Sequence, residues 1–179
     1  IQDALWKQRE QKYLDLIKKY DTDTQNGFIE LFGMLVLTIE KSEMTDWLGE
    51  IYMETGCGNE HTGQFFTPFH LSYLSAMCGV PKEIDEEHPL LLNEPSTGGG
   101  GMIIAAAKVL KNRGINYQRC LDVVAQDLDW NGVYMTYVQL SLLGIKATVA
   151  QGDTLAAFYK PGYPQERVLR TPARMGALG

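Results

Sequence analysis

The sequence predicts an α/β fold with a helical part at its N-terminus, and three observations lead to this prediction. Three short apolar segments alternate with two helix-like segments between residues 90 and 150, an order that is typical of parallel β-α-β units. A run of four glycines at residues 98–101 separates the first apolar segment from the helix-like segment that follows it. The first 55 residues show only helical periodicity. We therefore expect a helical segment at residues 1–60 and an α/β domain at residues 61–179.

Two apolar stripes predict the helices of the N-terminal segment. In the first stripe, Trp6, Tyr13 and Ile17 recur at helical spacing. The second stripe follows the i, i+3, i+4, i+7 pattern closely, and we expect its side chains to form core. A third, short helix is expected at residues 47–52, with Thr45 as its N-cap. The second stripe consists of Phe28, Leu31, Phe32, Leu35, Val36 and Ile39.

The α/β domain is predicted to open with a helix that starts at Thr67 and Pro68 and runs to about residue 78. A hydroxyl N-cap followed by proline at the first helical position is a favourable start. Two further helices are expected at residues 102–113 and 131–143, ended by Gly114 and Gly144. The predicted strands cover residues 90–92, 121–125 and 147–150.

The composition is that of a soluble globular protein, with 45% apolar and 21% charged residues in 179. No apolar run reaches the roughly 18 residues of a membrane span, so we expect no membrane partner. Cys57, Cys78 and Cys120 show no paired spacing, which favours a reducing, cytoplasmic location. Cys57 and His61 are at most half of a metal site, because structural zinc needs four ligands, and we expect no metal.

The charge is distributed unevenly along the chain. Four basic residues and one acidic residue follow position 159 and give +3, so the overall charge of −6 leaves −9 on the first 159 residues. An acidic body does not favour contact with DNA phosphates. We interpret the basic tail as solvated in preference to a DNA contact, and expect the chain alone to bind DNA weakly. The basic residues are Lys160, Arg167, Arg170 and Arg174.

The glycine run has the composition of a ligand-binding turn. Glycines between a buried strand and a helix let a ligand approach the backbone, and the helix N-terminus favours negative charge. A flexible turn without a ligand is the alternative interpretation. The spacing does not fit the Gly-x-Gly-x-x-Gly pattern of dinucleotide-binding proteins, because Ile103 and Ile104 stand where the third glycine would fall.

Carboxylates follow the second and third predicted strands. Asp127 and Asp129 come directly after the second strand, at the sheet edge where such folds bind ligands. We favour Asp127 as the acceptor for ribose hydroxyls, because Asp129 is well placed to cap the helix that begins near Asn131. Asp153 follows the third strand and could accept a hydrogen bond from the amine of an adenine. The alternative for Asp153 is an ordinary turn aspartate.

Four segments resemble motifs of the N6-adenine DNA methyltransferases, and the likeness is greatest to the modification subunits of type I restriction systems. The first is similar to a Gly-Gln-aromatic-aromatic-Thr-Pro motif, and residues 46–52 resemble the helix that leads into it. The second is similar to Asp-Pro-Ala-Cys-Gly-Ser-Gly-Gly, the third to Gln-Glu-aliphatic, and the fourth is Gly-Asp-Thr-Leu. In this chain they read Gly63-Gln64-Phe65-Phe66-Thr67-Pro68, Glu94-Pro95-Ser96-Thr97-Gly98-Gly99-Gly100-Gly101, Gln126-Asp127-Leu128 and Gly152-Asp153-Thr154-Leu155.

The resemblance implies a Rossmann-like fold that binds S-adenosylmethionine. Thr67, Pro68 and the glycine run would surround the methionine part of the cofactor. Asp127 would hold the ribose, Leu128 would pack on the adenine, and Asp153 would accept from its amine. The full set of cofactor-binding residues implied is Phe66, Thr67, Pro68, Glu94, Pro95, Ser96, Thr97, Gly98, Gly99, Gly100, Asp127, Leu128, Asp153 and Thr154.

One departure from the family concerns catalysis. The family transfers the methyl group with an Asn- or Asp-Pro-Pro-aromatic motif on a further strand, which accepts from the amine of a flipped-out adenine. The nearest segment here is Lys160-Pro161-Gly162-Tyr163, which we interpret as a loop. No catalytic residue is assigned. The chain is therefore either part of a methyltransferase whose motif lies beyond Gly179 or a degenerate relative that binds cofactor or a partner. The partners expected are DNA, a specificity or other partner subunit, and further copies of the chain.

Overall fold

The computed structural model describes residues 5–56 and 65–177, and the chain divides into two units between Glu43 and Met44. We expected this boundary near residue 60. It lies earlier because the third helix belongs to the second unit, where the backbone N–H of Leu48 donates to the side chain of Gln139 at 3.2 Å. Cys57, His61 and the first two residues of the Gly63–Pro68 motif lie outside the described residues.

The first unit contains two helices, α1 (Trp6–Ile17) and α2 (Thr22–Lys41). Asp21 caps α2 by accepting from the backbone N–H of Thr24 at 2.8 Å. Neither helix has a buried residue, and Phe28, Leu31 and Phe32 are exposed. The prediction that the second stripe is core is therefore wrong for the described unit. Two helices are too few to enclose a 20-residue helix, because burial needs apolar neighbours on several sides.

The second unit has the alternating order that the sequence predicted. Its early helices are α3 (Trp47–Glu54) and α4 (Phe69–Gly79). The sheet and its helices follow as β1 (Leu90–Glu94), α5 (Gly101–Asn112), α6 (Tyr117–Cys120), β2 (Leu121–Asp127), α7 (Trp130–Leu142), β3 (Lys146–Gln151), a 3-10 turn (Gln165–Arg167) and β4 (Val168–Arg170). Within the described part of the chain, none of the helices combines the length and apolar character needed to cross a bilayer.

The sheet has the order β1-β2-β3-β4. The first three strands are parallel, with Leu92 opposite Val123 and Val123 opposite Ala147. The α/β prediction is therefore confirmed. The fourth strand runs antiparallel to β3, with Leu169 opposite Val149. Its three residues were not predicted, since so short a segment has no measurable period.

The core lies between the sheet and the helices that pack on it. Helix α7 packs on β2 and β3, and α5 packs on β1 and α4. Val123 and Val149 from the sheet and Ile103, Ile104 and Leu110 from α5 are fully buried. This layer holds the three parallel strands in register, so their carboxyl ends reach the same edge.

The start of α4 differs from the prediction. Thr67 is not the N-cap and Pro68 is not the first helical residue, because α4 begins at Phe69. Pro68 is itself the cap residue, with an extended ψ of 136° and no side-chain cap. Its carbonyl accepts from the N–H groups of Leu71 at 2.9 Å and Ser72 at 3.2 Å. The Thr67 side chain is thereby left out of the helix start.

Candidate functional site

The loops after β1, β2 and β3 meet at one edge of the sheet. The N–H of Thr97 donates to the carbonyl of Gln126 at 3.0 Å, and the N–H of Gly152 donates to the carbonyl of Asp127 at 2.8 Å. The Thr154 hydroxyl donates to the carbonyl of Pro95 at 2.7 Å. Three of the four segments singled out in the sequence are thus joined directly by hydrogen bonds. Ligands of open parallel sheets bind at this edge.

The glycine loop, residues 98–101, is closely surrounded, and its neighbours leave no room for a side chain at Gly98 or Gly99. Gly98 and Gly100 have φ angles of +54° and +99°, in the left-handed region. A Cβ on Gly98 would lie 2.9 Å from the ring of Phe66, and one on Gly99 would lie 2.6 Å from the carboxylate oxygens of Asp46. No side chain caps the N-terminus of α5 at Gly100. The first backbone N–H groups of α5 are therefore available to a ligand.

Asp46 is a site residue whose role no motif in the sequence indicates. The N-cap of α3 is Asp46, so the prediction of Thr45 as the cap is wrong. Oδ1 of Asp46 accepts from the N–H of Gly49 at 2.9 Å. The same oxygen accepts from Nε2 of Gln139 at 2.7 Å. Burial raises the pKa of Asp46, against the lowering effect of these two hydrogen bonds. A buried carboxylate therefore lies directly against the glycine loop.

Two polar residues of α7 donate hydrogen bonds to carbonyls of the glycine loop. Nε2 of Gln139 donates to the carbonyl of Gly99 at 2.8 Å as well as to Asp46. The Thr136 hydroxyl donates to the carbonyl of Gly98 at 3.0 Å. Both side chains are fully buried. Helical periodicity places them on the inner face of α7, but it does not distinguish a loop-holding residue from a core residue.

Asp127 is also fastened to the glycine loop. Its Oδ2 accepts from the N–H of Gly98 at 2.7 Å, and its Oδ1 accepts from the N–H of Asp129 at 2.9 Å. Its residue exposure is 9%. Asp129 caps α7 by accepting from the N–H of Asn131 at 3.1 Å, which confirms the helix-cap interpretation of Asp129. Leu128 between them is 67% exposed and offers an apolar surface at the edge.

Glu94 and Asp153 stand at the ends of β1 and β3. Glu94 is half-buried and accepts from the N–H of Ser96 at 3.2 Å. Burial raises the pKa of Glu94, the bond from Ser96 lowers it, and the charge of Asp127 raises it further. Asp153 is exposed and accepts from the N–H of Leu155 at 2.9 Å, as a turn aspartate does. Its lone pairs that face solvent are open to a ligand.

Two cavities adjoin the Phe66–Pro68 segment. A cavity of about 540 Å³ lies between α3 and α4 and is lined by Thr67, Pro68 and Lys108. Asp127, Leu128 and Asp153 do not line it, so it is separate from the strand ends. A second cavity of about 80 Å³ lies between Thr67 and the glycine loop. Phe66 borders both, and its ring stacks on that of Tyr52 with centroids 5.4 Å apart.

The Lys160–Tyr163 segment is a turn, as predicted. The N–H of Tyr163 donates to the carbonyl of Lys160 at 3.0 Å, and Gly162 has a φ of +93°, which is typical of a type II turn with proline in its second position. Tyr163 is only 8% exposed, and its hydroxyl donates to the carbonyl of Gln151 at 2.8 Å. Its ring packs with Val168 in a small core cluster. It therefore cannot stack on a base in this conformation.

The basic tail does not form a single cationic patch. Arg174 makes a bidentate ion pair with Asp122, and Nζ of Lys146 lies 2.9 Å from the same carboxylate. Arg170 donates to the side chain of Gln165 at 2.7 Å. Burial by itself raises the pKa of Asp122, but the hydrogen bonds and charges of Lys146 and Arg174 outweigh it and hold the pKa below its ordinary value. The guanidinium of Arg174 is thus already paired with a carboxylate of the α/β unit.

A comparison with protein families covers the part of the chain that contains this edge of the sheet. A family model described as N-6 DNA methylase matches residues 43–167, which is 125 of the 179 residues. The match contains Asp46, the glycine loop and the ends of all three parallel strands. No curated protein matches the chain.

Proposed function

The chain belongs to the N-6 DNA methylase family, and on that premise we propose that its α/β unit is the S-adenosylmethionine-binding part of an adenine-specific DNA methyltransferase. The observation that carries the proposal is the glycine loop, which is held by hydrogen bonds to Asp127 and Gln139 and lies against Asp46, while the N-terminus of α5 stays uncapped. The Rossmann-like character of the sheet and the likeness to type I modification subunits are part of the same proposal.

The residues at this edge fit the chemistry of the cofactor. A Cβ at Gly98 or Gly99 would collide with its neighbours, so the backbone stays bare where a charged ligand would approach it. In this proposal the methionine part binds near Thr67 and the glycine loop. When bound, S-adenosylmethionine supplies a methyl group on a positively charged sulfur. The carboxylates of Glu94 and Asp127 give this edge a complementary negative charge.

The nucleoside part is assigned to the ends of β2 and β3. Asp127 accepts from ribose hydroxyls with the lone pairs that its two backbone hydrogen bonds leave over. Leu128, which is exposed, packs on the adenine ring, and Asp153 accepts from the adenine amine. Pro95, Ser96, Thr97 and Thr154 shape the loop between them.

A second candidate function, cofactor or partner binding without methyl transfer, is favoured by the position of Tyr163. The amine of adenine is a weak nucleophile, because its lone pair is delocalised into the ring. Transfer needs acceptors that stabilise the charge growing on that nitrogen and a surface that positions the base. In residues 65–177, the one proline that stands two residues before an aromatic is Pro161, and that aromatic is Tyr163, which is buried in its turn. We therefore propose that this chain alone binds cofactor and does not methylate DNA.

Two measurements test these proposals. Calorimetry with S-adenosylhomocysteine should show binding to the wild-type chain, and the absence of any heat would contradict the cofactor proposal. Labelled methyl transfer from S-adenosylmethionine to mixed-sequence duplex DNA should be absent with the chain alone. Robust transfer by the chain alone would overturn the binding-only proposal. Transfer that requires an added specificity subunit would identify that subunit as a partner and leave the proposal for the isolated chain standing.

A further inference from the structure

The cavity of about 80 Å³ beside the glycine loop is also bordered by α4, through Ser72. Among its lining residues are Thr67, Ser72, Thr97 and Met102. Cavities that hold whole cofactors or drug-sized molecules measure roughly 300–1,000 Å³, which is several times the volume of this cavity. The cavity therefore has room for a small polar group and not for a nucleoside.

Ser72 brings an unused hydroxyl to this cavity. It is 1% exposed, and its Oγ has no hydrogen-bond partner within residues 5–56 and 65–177. A serine inside a helix commonly donates its hydroxyl to the carbonyl four residues earlier. For Ser72 that carbonyl belongs to Pro68, and it accepts only from the backbone N–H groups of Leu71 and Ser72. Buried hydroxyls without a partner are rare in native proteins and call for an explanation.

The charges around the cavity favour a group that carries both signs. The N-terminus of α5, which has no capping side chain, attracts an anion. Asp46 lies on the same side, because its carboxylate would be 3.0 Å from a Cβ on Gly101 and 2.6 Å from one on Gly99. Its Oδ1 is occupied by Gly49 and Gln139. A carboxylate ligand therefore needs an ammonium beside it to balance Asp46.

We propose that Ser72 is a cofactor-binding residue that donates its hydroxyl to the carboxylate of the methionine end of S-adenosylmethionine. The α-amino-acid end has the required size, and it carries a carboxylate and an ammonium on one carbon. The carboxylate takes the Ser72 hydroxyl and the free N–H groups of α5, and the ammonium faces Asp46. This inference rests on the proposed function and adds Ser72 and Asp46 to its binding residues.

The test compares two ligands that differ only in this end. S-adenosylhomocysteine contains the amino-acid group, and 5′-methylthioadenosine carries a methyl group in its place. We expect Ser72→Ala to weaken binding of S-adenosylhomocysteine roughly tenfold or more, because a hydrogen bond to a charged group is lost. Binding of methylthioadenosine should change by less than about twofold, since that ligand does not reach the hydroxyl.

Ser141→Ala is the matched control. Ser141 is the other serine whose buried hydroxyl lacks a partner in the described part of the chain, and it lies on α7 and lines neither cavity beside Phe66. Its substitution should leave both affinities unchanged. Thermal unfolding shows whether each variant is folded, and Ser72→Cys, which keeps the size but donates weakly, should fall between wild type and alanine.

The outcomes distinguish a failure of the proposed function from a failure of the Ser72 assignment. If wild type binds neither ligand, the proposed function fails and this inference fails with it. If wild type binds S-adenosylhomocysteine and Ser72→Ala binds it equally well, the assignment of Ser72 is wrong and the proposed function stands. If Ser72→Ala weakens both ligands to the same degree, Ser72 only supports the local structure, and the assignment is again wrong.

Discussion

Replacing Asp127 with alanine removes a carboxylate that holds the glycine loop and, in our proposal, binds the ribose of the cofactor. The variant loses the acceptor for the N–H of Gly98 at 2.7 Å and for the N–H of Asp129 at 2.9 Å. Gly98 is buried, so its N–H is left without a partner. A hydrogen bond to a charged group contributes about 1.5–3 kcal/mol. We expect the free energy of unfolding to fall by about this amount and cofactor binding to weaken by a similar amount.

Asp127→Asn and Asp129→Ala separate the two effects. Asparagine keeps one carbonyl oxygen that can accept from Gly98, so Asp127→Asn should lose less stability than Asp127→Ala. Asp129→Ala removes only the cap of α7, whose loss costs about 0.5–2 kcal/mol of stability. Its affinity for cofactor should be unchanged.

Urea denaturation and calorimetry with S-adenosylhomocysteine measure these quantities on the same preparations. Normal cofactor affinity in Asp127→Ala, together with weakened affinity in Asp129→Ala, would show that the ribose has been assigned to the wrong carboxylate. An unchanged free energy of unfolding in Asp127→Ala would contradict the reasoning that this side chain holds the glycine loop.

Three further predictions follow from the loop and the tail. Gly99→Ala should lower the free energy of unfolding by about 1–3 kcal/mol in urea denaturation, because the added Cβ would lie 2.6 Å from the carboxylate oxygens of Asp46. Gly27→Ala on α2 is the control: no atom lies within 4 Å of its added Cβ, so this change should be neutral or stabilising. Asp122→Asn should lower the free energy of unfolding at neutral pH. Because the pKa of Asp122 in the folded state lies below its ordinary 3.8, the stability that this carboxylate contributes is lost as the pH falls through the lowered pKa. The difference in the free energy of unfolding between the variant and wild type should therefore vanish at that pH. Mixed-sequence duplex DNA should bind weakly and dissociate as salt rises, because few phosphate contacts are available once Arg174 is paired; a tight, salt-resistant complex in a gel-shift experiment would show that base contacts exist.

Some interactions at the site could not be predicted, because they join residues far apart in the chain. Asp46 and Gln139 meet at the carbonyl side of Gly99, and each is an ordinary polar residue within its own helix. The local indication for Asp46 is that it opens the segment 46–52, which resembles a helix of the family. Likewise, only the packing of Tyr163 against Val168 makes it a core residue instead of a base-stacking one.

Local patterns in the sequence predict the alternating α/β order, the parallel strands, the glycine loop and the helix cap at Asp129. These features follow from periodicity, turn chemistry and capping, which act over a few neighbouring residues. Three features follow only from tertiary contacts: no residue of the apolar stripe of α2 is buried, β4 pairs antiparallel with β3, and the buried hydroxyl of Ser72 borders the cavity beside the glycine loop. Burial and unpaired hydrogen-bonding groups depend on which distant segments come together, and no local pattern in the chain records that.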